Sequence, residues 1–420
     1  MMPSMRRGFA LRLYLLASYF FILIAGPVLR RRRLRDKEHP TRWVEKKAQG
    51  LAPRPGDGPV IWLNAVGLGE VLSLRGLIVR MHALRPDISF LVTSTTKASA
   101  VVFERNLPPR AMHQFLPIDA APYRERFLEH FRPDLCLWVE QDLWPGFVHA
   151  LNRRSIPQAI IAARMNAQSF QAHMRVAALY RDLYQAMAMV TAQDASTATH
   201  LKSLSADAIV IGSLKPAAPE LNADVKELQI LNETLHGRRI WAVAPSHAAD
   251  EQAAIAAHHI LAQSDPTALL VIAPRFPDRR NEIAQALGAL TPLRSLGQIP
   301  GPDDRFWIFD TFGELGLLYR LTQTVLVGGT FSNIQGHNPW EAAALDTAIL
   351  HGPYVENFAA DFGQLDQAGA ACMVKSDTEI VQVLLGDDLP LMAKKAAKCI
   401  KAASARTDQL AHDIIALLDR

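Results

Sequence analysis

Apolar residues along this chain cluster in short continuous runs. PVIWLNAV (59–66), ISFLVTSTT (88–96), HQFLPID (113–119), DLCLWVE (134–140), PQAIIAAR (157–164) and DAIVIG (207–212) are rich in β-branched residues. Such runs predict parallel strands covered on both faces, where no side can present polar groups to water. Between them lie amphipathic stretches of helical length, such as EVLSLRGLIVRMHAL and QSFQAHMRVAALYRDLYQAM. The alternation predicts a doubly wound α/β domain. Residues 213–237, SLKPAAPELNADVKELQILNETLHG, interrupt it with prolines and polar residues. A second alternation follows: RRIWAVAPS, TALLVIAPR, RFWIFD, QTVLVGG, TAILHG and AACMV. The closing stretch from LPLMAKK onward predicts one or two helices. Two such domains are expected to form a cleft, with ligands beyond the carboxyl ends of the strands.

One run is different. Leu13 to Leu29, LYLLASYFFILIAGPVL, holds 17 residues without a charge, and Arg30 to Arg33 and Arg35 follow at once. At ~1.5 Å per residue it reaches about 25 Å, slightly short of a hydrocarbon layer of roughly 30 Å. Flanks this basic do not suit a buried core helix, and Pro27 with four arginines does not suit a cleaved signal peptide. The pattern predicts a membrane anchor that keeps the following domain on the cytoplasmic side, spanning or half-inserted.

Charge supports this division. Residues 1–50 hold 12 Lys/Arg and 3 Asp/Glu, whereas the other 370 hold 33 and 38. The basic character therefore belongs to one end and gives no case for a nucleic-acid-binding body. Cys136, Cys372 and Cys399 are far apart in sequence and odd in number, which fits a reducing compartment and neither a zinc site nor a disulfide framework.

Candidate chemistry sits where strands are expected to end. In GTFSNIQGHNPWEAAAL (329–345), Gly328-Gly329 closes a strand, and Gly336, His337 and Asn338 precede a helix expected to start near Pro339. Free N–H groups at such a start suit an anion, and Glu341 suits sugar hydroxyls. The same residues also read as a glycine turn with an Asn-type cap and a packed histidine. LNAVGLGEVLSLRGLI places Gly67, Gly69 and Glu70 directly after the first strand; a carboxylate there serves as a general base or as a helix cap. WVEQDLWPGF ends a strand with Glu140 and Asp142. IGSLK contributes Lys215, while APSHAADE and APRFPDR contribute Ser246, His247 and Arg275, the last suited to a bidentate phosphate contact.

Taken in order, AVGLGE, TSTT, the VEQDLWP block, AARMNAQSF, GSLK, APSH, APRFPDR, FDTFGELGLLY, VGGT, GHNPWEAAAL and HGPYVENF resemble the 3-deoxy-D-manno-octulosonic acid (Kdo) transferases of lipopolysaccharide assembly. The resemblance runs from the anchor to about residue 400. It implies a GT-B glycosyltransferase: two Rossmann-like doubly wound domains facing a cleft, behind a membrane anchor. Its expected division is 1–35 anchor, 36–215 acceptor domain, 216–400 nucleotide-sugar domain and 401–420 terminal helix. It implies Glu70 as the proton acceptor, with Glu140 and Lys215 supporting the transition state. It implies that Pro274, Arg275, Phe312, Gly313, Glu314, Leu315, Gly336, His337, Asn338, Pro339, Trp340 and Glu341 form the region that binds the CMP-sugar donor.

The implied reaction is inverting transfer of Kdo from CMP-Kdo to a lipid A precursor at the cytoplasmic face of the inner membrane. No cofactor and no metal are implied, and the chain carries no Asp-x-Asp motif. Asn64 and Gly67 depart from the family pattern, which usually has serine or histidine and then serine there. Asp142 stands where Glu is common. These departures bear on the acceptor more than on the donor. Two other readings remain open at this point: a GT-B transferase for another nucleotide sugar or acceptor, and a non-catalytic paralogue.

Overall fold

The computed structural model describes residues 5, 7–105, 107–140, 143–288 and 290–419; of 68–70, 101–102 and 104–105 only the backbone is described. The chain divides into two compact units, Met1–Ala218 with Ala403–Arg420, and Pro219–Ala402. One helix, Leu389–Leu418, carries the chain from the second unit back into the first.

The first unit is built on seven parallel strands: β1 Val60–Asn64, β2 Ser89–Ser94, β3 Ala111–Phe115, β4 Leu135–Val139, β5 Gln158–Ala163, β6 Met189–Ala192 and β7 Ile209–Val210. Their order is β3-β2-β1-β4-β5-β6-β7. Strands β1, β2, β4 and β5 are buried along their whole length because helices cover both faces, whereas the edge strand β7 is exposed. Trp62, Cys136 and Ile160 pack with Phe127, Phe147 and Leu151 on one side. Ile61, Leu63, Leu137 and Ile161 pack with Leu74, Ile78, Leu410 and Ile414 on the other. Each such side chain removed from water contributes about 1.5–3 kcal/mol.

The second unit has six parallel strands: β8 Ile240–Ser246, β9 Leu269–Pro274, β10 Phe306–Ile308, β11 Thr324–Val327, β12 Ala348–His351 and β13 Ala371–Met373. Their order is β10-β9-β8-β11-β12-β13. Trp241, Val243 and Ile272 meet Ala254, Leu261 and Ile380 on one face, and Ala242, Val271 and Val325 meet Leu317, Trp340 and Phe362 on the other. In both units the order reverses beside the first strand, between β1 and β4 and between β8 and β11. Loops leaving adjacent strands there run to opposite faces and open a crevice at the carboxyl ends.

Two local expectations fail. The stretch expected as one helix over 168–187 is two, Ala167–Met174 and Ala177–Tyr184, because Val176 turns out of helical conformation at φ −128° and ψ 37°. The four residues of β6 form a strand that the apolar pattern did not signal, since they follow almost without a break the stretch expected to be helical up to residue 187.

Candidate functional site

In the first unit, the loop from Ala65 to Gly67 joins β1 to the helix Leu68–Leu84. Glu70 is the third residue of that helix, at the switch point; its side chain and that of Leu68 lie outside the described atoms. Asn64 is wholly buried and accepts from Thr93 Oγ1 at 2.9 Å, and Thr93 in turn accepts from Trp62 Nε1 at 2.9 Å. Its amide therefore belongs to the β1–β2 packing. Gly67 accepts the N–H of Val71 at 3.1 Å and so starts the helix.

Glu140 follows β4 with φ +60°, a left-handed conformation rare for a residue with a side chain. Its N–H donates to Ile161 O at 3.1 Å, and its carboxylate accepts from Gln193 Nε2 at 3.3 Å. Gln193, beyond β6, was not among the expected site residues. Asp142 lies outside the described residues. Lys215 opens the 3-10 turn Lys215–Ala217, where its N–H donates to Ser213 Oγ at 3.2 Å.

In the second unit the loops after β8 and β11 are tied by one carboxylate. Asp250 is fully buried and accepts from the N–H groups of His247 at 3.0 Å, Gly329 at 2.7 Å, Thr330 at 3.2 Å and Phe331 at 3.0 Å. It also completes a capping box with His247 at the start of the helix Ala248–Ser264. Gly328 is needed because a Cβ there would stand 1.9 Å from Pro245 O, so the two switch-point loops touch backbone to backbone. Gly336, at φ +88°, turns the loop back, and its N–H donates to Gly329 O at 2.8 Å.

This brings His337 to His247, Nε2 to Nε2 at 2.8 Å, with rings stacked at 5.1 Å and 11°. Burial, then the charges of His247 and Arg275, lower the His337 pKa to about 4; burial also lowers that of His247. Both are therefore neutral near pH 7. His247 accepts the Asp250 N–H at one ring nitrogen, so its Nε2 carries the proton and donates to His337. His337 is left with an N–H at Nδ1.

Pro274 ends β9, and the Arg275 N–H donates to Ser246 O at 2.9 Å. The Arg275 side chain is exposed, 6.0 Å above the Phe276 ring, and has no carboxylate partner among the described residues. Asn338 receives Trp340 N–H at 3.2 Å and donates to Glu341 Oε1 at 3.2 Å. Burial raises the Glu341 carboxyl above its ordinary range, against the Asn338 amide and Arg275. Trp340 is buried and donates to Asp361 Oδ1 at 2.7 Å, fixing the turn from below.

The helix expected near Pro339 is a single turn, Trp340–Ala343, capped by Pro339. Its chain must enter β12 at Ala348, so it has no length to build a useful dipole. What this loop offers is its polar side chains rather than a helix dipole.

Phe312 is exposed and Gly313 has φ +83°. The Glu314 carboxylate is held by Arg294 at 2.8 and 3.2 Å and by Thr311 Oγ1 at 2.5 Å. Burial raises its pKa, but these donors outweigh it and the net direction is down. The Glu314 carboxylate is thus engaged within the protein, and Leu315 begins the helix Leu315–Leu321 directly after it. Asp250 was missed in the sequence because its capping partner is His247, three residues earlier, where the usual signal has Ser or Thr.

Residues 39–218 match the family described as 3-deoxy-D-manno-octulosonic-acid transferase (kdotransferase). A probable mitochondrial Kdo transferase from Arabidopsis thaliana is 29% identical over 385 residues, covering 89% of this chain and 86% of that one. The Rickettsia bellii Kdo transferase is 29% identical over 380 residues, covering 89% and 90%. Among solved structures, the UDP-GlcNAc 2-epimerase of Neisseria meningitidis matches with a TM-score of 0.58 at 15% identity, over 85% of this chain and 99% of that one. A Rickettsia africae glycosyltransferase matches with a TM-score of 0.55 at 11% identity, over 86% and 99%. At those identities the structures speak for the GT-B fold alone, whereas the sequence relatives speak for descent. Residues 39–218 thus carry the Kdo transferase family's domain, the chain is similar over most of its length to Kdo transferases, and these relatives support a glycosyltransferase.

Proposed function

We propose that the protein transfers Kdo from CMP-Kdo to a lipid A precursor such as lipid IVA, at the cytoplasmic face of an inner membrane. One observation carries this reading. In a chain related over most of its length to Kdo transferases, Arg275, the His247–His337 pair and the Asn338–Glu341 turn gather at the carboxyl ends of β8, β9 and β11.

In the proposed reaction the acceptor hydroxyl oxygen bonds to the anomeric carbon of Kdo as that carbon's bond to the CMP phosphate oxygen breaks. Glu70 takes the hydroxyl proton, a contribution of about 10²–10⁴-fold. Arg275, which forms no ion pair among the described residues, and Lys215 stabilise charge on the departing phosphate, and Glu140 supports the transition state. Asn338 and Glu341 hold hydroxyls of the donor. Inversion follows from one displacement, and the step is proposed to need no metal, so excess EDTA is expected to leave the rate unchanged. The apolar helix Phe9–Leu34 and its arginines are proposed to hold the protein at the membrane that carries the acceptor.

Incubation of the full chain with a lipid A precursor and a panel of activated sugars tests this. Transfer from CMP-Kdo at least ~100-fold faster than from any UDP-sugar is expected. Faster transfer from a UDP-sugar would assign the donor site to another nucleotide.

A further inference from the structure

The helix Phe9–Leu34 is apolar on nearly all sides, yet one side is already covered. Leu11, Ser18, Ala25 and Leu29 are buried, and at 3.6 residues per turn they fall within an arc of about 40°. This stripe packs on the helices Pro145–Arg153, Ala121–Phe131 and Ala177–Tyr184 of the same unit. From Leu11 to Leu29 the docked length is about 27 Å. Polar contacts fasten it along the way. The Gly8 N–H donates to Asp182 Oδ2 at 2.8 Å, the Tyr14 hydroxyl donates to Asp119 Oδ2 at 2.9 Å, and Arg32 Nε donates to Glu38 Oε1 at 2.5 Å. Asp119 is fully buried and also accepts from Arg124 Nη1 and the Gly146 N–H. Pulling the helix away would leave that carboxylate short of a donor.

The opposite side shows Phe9, Leu13, Leu16, Phe20, Leu23 and Ile24 to the outside. A continuous apolar stripe of this length needs cover. Exposed arginines stand at both of its ends: Arg7 and Arg12 at one, Arg30–Arg33 and Arg35 at the other. A helix crossing a bilayer would carry one basic end to the far side. It would also drag a flank bearing Glu125, Arg153 and Arg154 into hydrocarbon.

We propose that this helix lies in the plane of an anionic bilayer and does not cross it. The Leu13–Leu16–Phe20–Ile24 side sinks about 5–10 Å into the boundary between headgroups and acyl chains, and the arginines of both ends share one headgroup layer. The inference rests on the membrane reading above but adds the mode of attachment.

Arg7→Cys and Arg35→Cys, each in a chain with Cys136, Cys372 and Cys399 replaced by alanine, test it in sealed membrane vesicles of either orientation. An impermeant maleimide is expected to label both positions from the same face, to within about twofold. Labelling from opposite faces would overturn the in-plane helix while leaving membrane attachment intact. Flotation with vesicles containing phosphatidylglycerol separates the two claims. The full chain is expected to float, and Phe20→Glu to lose at least ~10-fold in the floated fraction at unchanged Tm. A chain that does not float, or that dimerises without lipid through this stripe, overturns both.

Discussion

The Nε2 atoms of His247 and His337 stand 2.8 Å apart, one residue following β8 and the other in the loop after β11. Only a pair with one proton between the two facing nitrogens makes this bond well, and burial keeps both rings neutral near pH 7. Its sign with pH follows. A histidine whose folded pKa lies below its unfolded value of about 6.5 contributes stability above that value, and the contribution is lost as pH falls toward about 4. For His337, partly exposed, this amounts to roughly 1–2 kcal/mol. Tm is therefore expected to fall between pH 6.5 and 4, and less steeply in His337→Gln. His113, His149 and His258 are also held neutral by burial and slope the same way, so the difference between the two proteins is the readout. Equal slopes would remove His337 from the account.

Asp250→Asn should act at a distance. Four N–H donors converge on the carboxylate, and an amide offers one oxygen and turns an NH2 group toward the rest. A loss of about 2–4 kcal/mol is expected, together with a rise of at least ~10-fold in KM for the donor. Thermal unfolding and donor titration check this. Normal KM with lowered Tm would make Asp250 structural only.

Gly328→Ala places a methyl where Pro245 O already stands at 1.9 Å. Separation of the β8 and β11 loops should cost about 1–3 kcal/mol. Calorimetry reads it, and a wild-type Tm would refute the close approach.

Glu140 pays for its position with a left-handed backbone, at roughly 1 kcal/mol or more. Glu140→Gly is expected to keep or slightly raise Tm while transfer falls at least ~10²-fold. Retained activity would show the residue to be a turn former.

Much of this was legible in the chain. Twelve of the thirteen strands among the described residues announced themselves as apolar runs; Met189–Ala192 did not, because it follows almost directly on the stretch expected to be helical up to residue 187. The chemistry-bearing loops were legible because their residues, from Gly67 to Glu341, fall directly after those strands. What the pattern could not give was partner choice. Asn64 stood out as a departure bearing on the acceptor and is buried on Thr93, Glu314 gives its carboxylate to Arg294, and Asp250 gathers a loop almost eighty residues away. The helix after Pro339 was overestimated for the opposite reason: its local sequence favours a helix, but β12 begins too soon.

Mass spectrometry of lipid IVA incubated with CMP-Kdo, with wild type and with Glu70→Gln, tests the central claim most directly. The account predicts added mass in whole Kdo steps with wild type, and a loss of at least ~10²-fold in the variant while CMP binding changes by less than about threefold. An unmodified lipid with wild type, or transfer by Glu70→Gln at the wild-type rate, would contradict it.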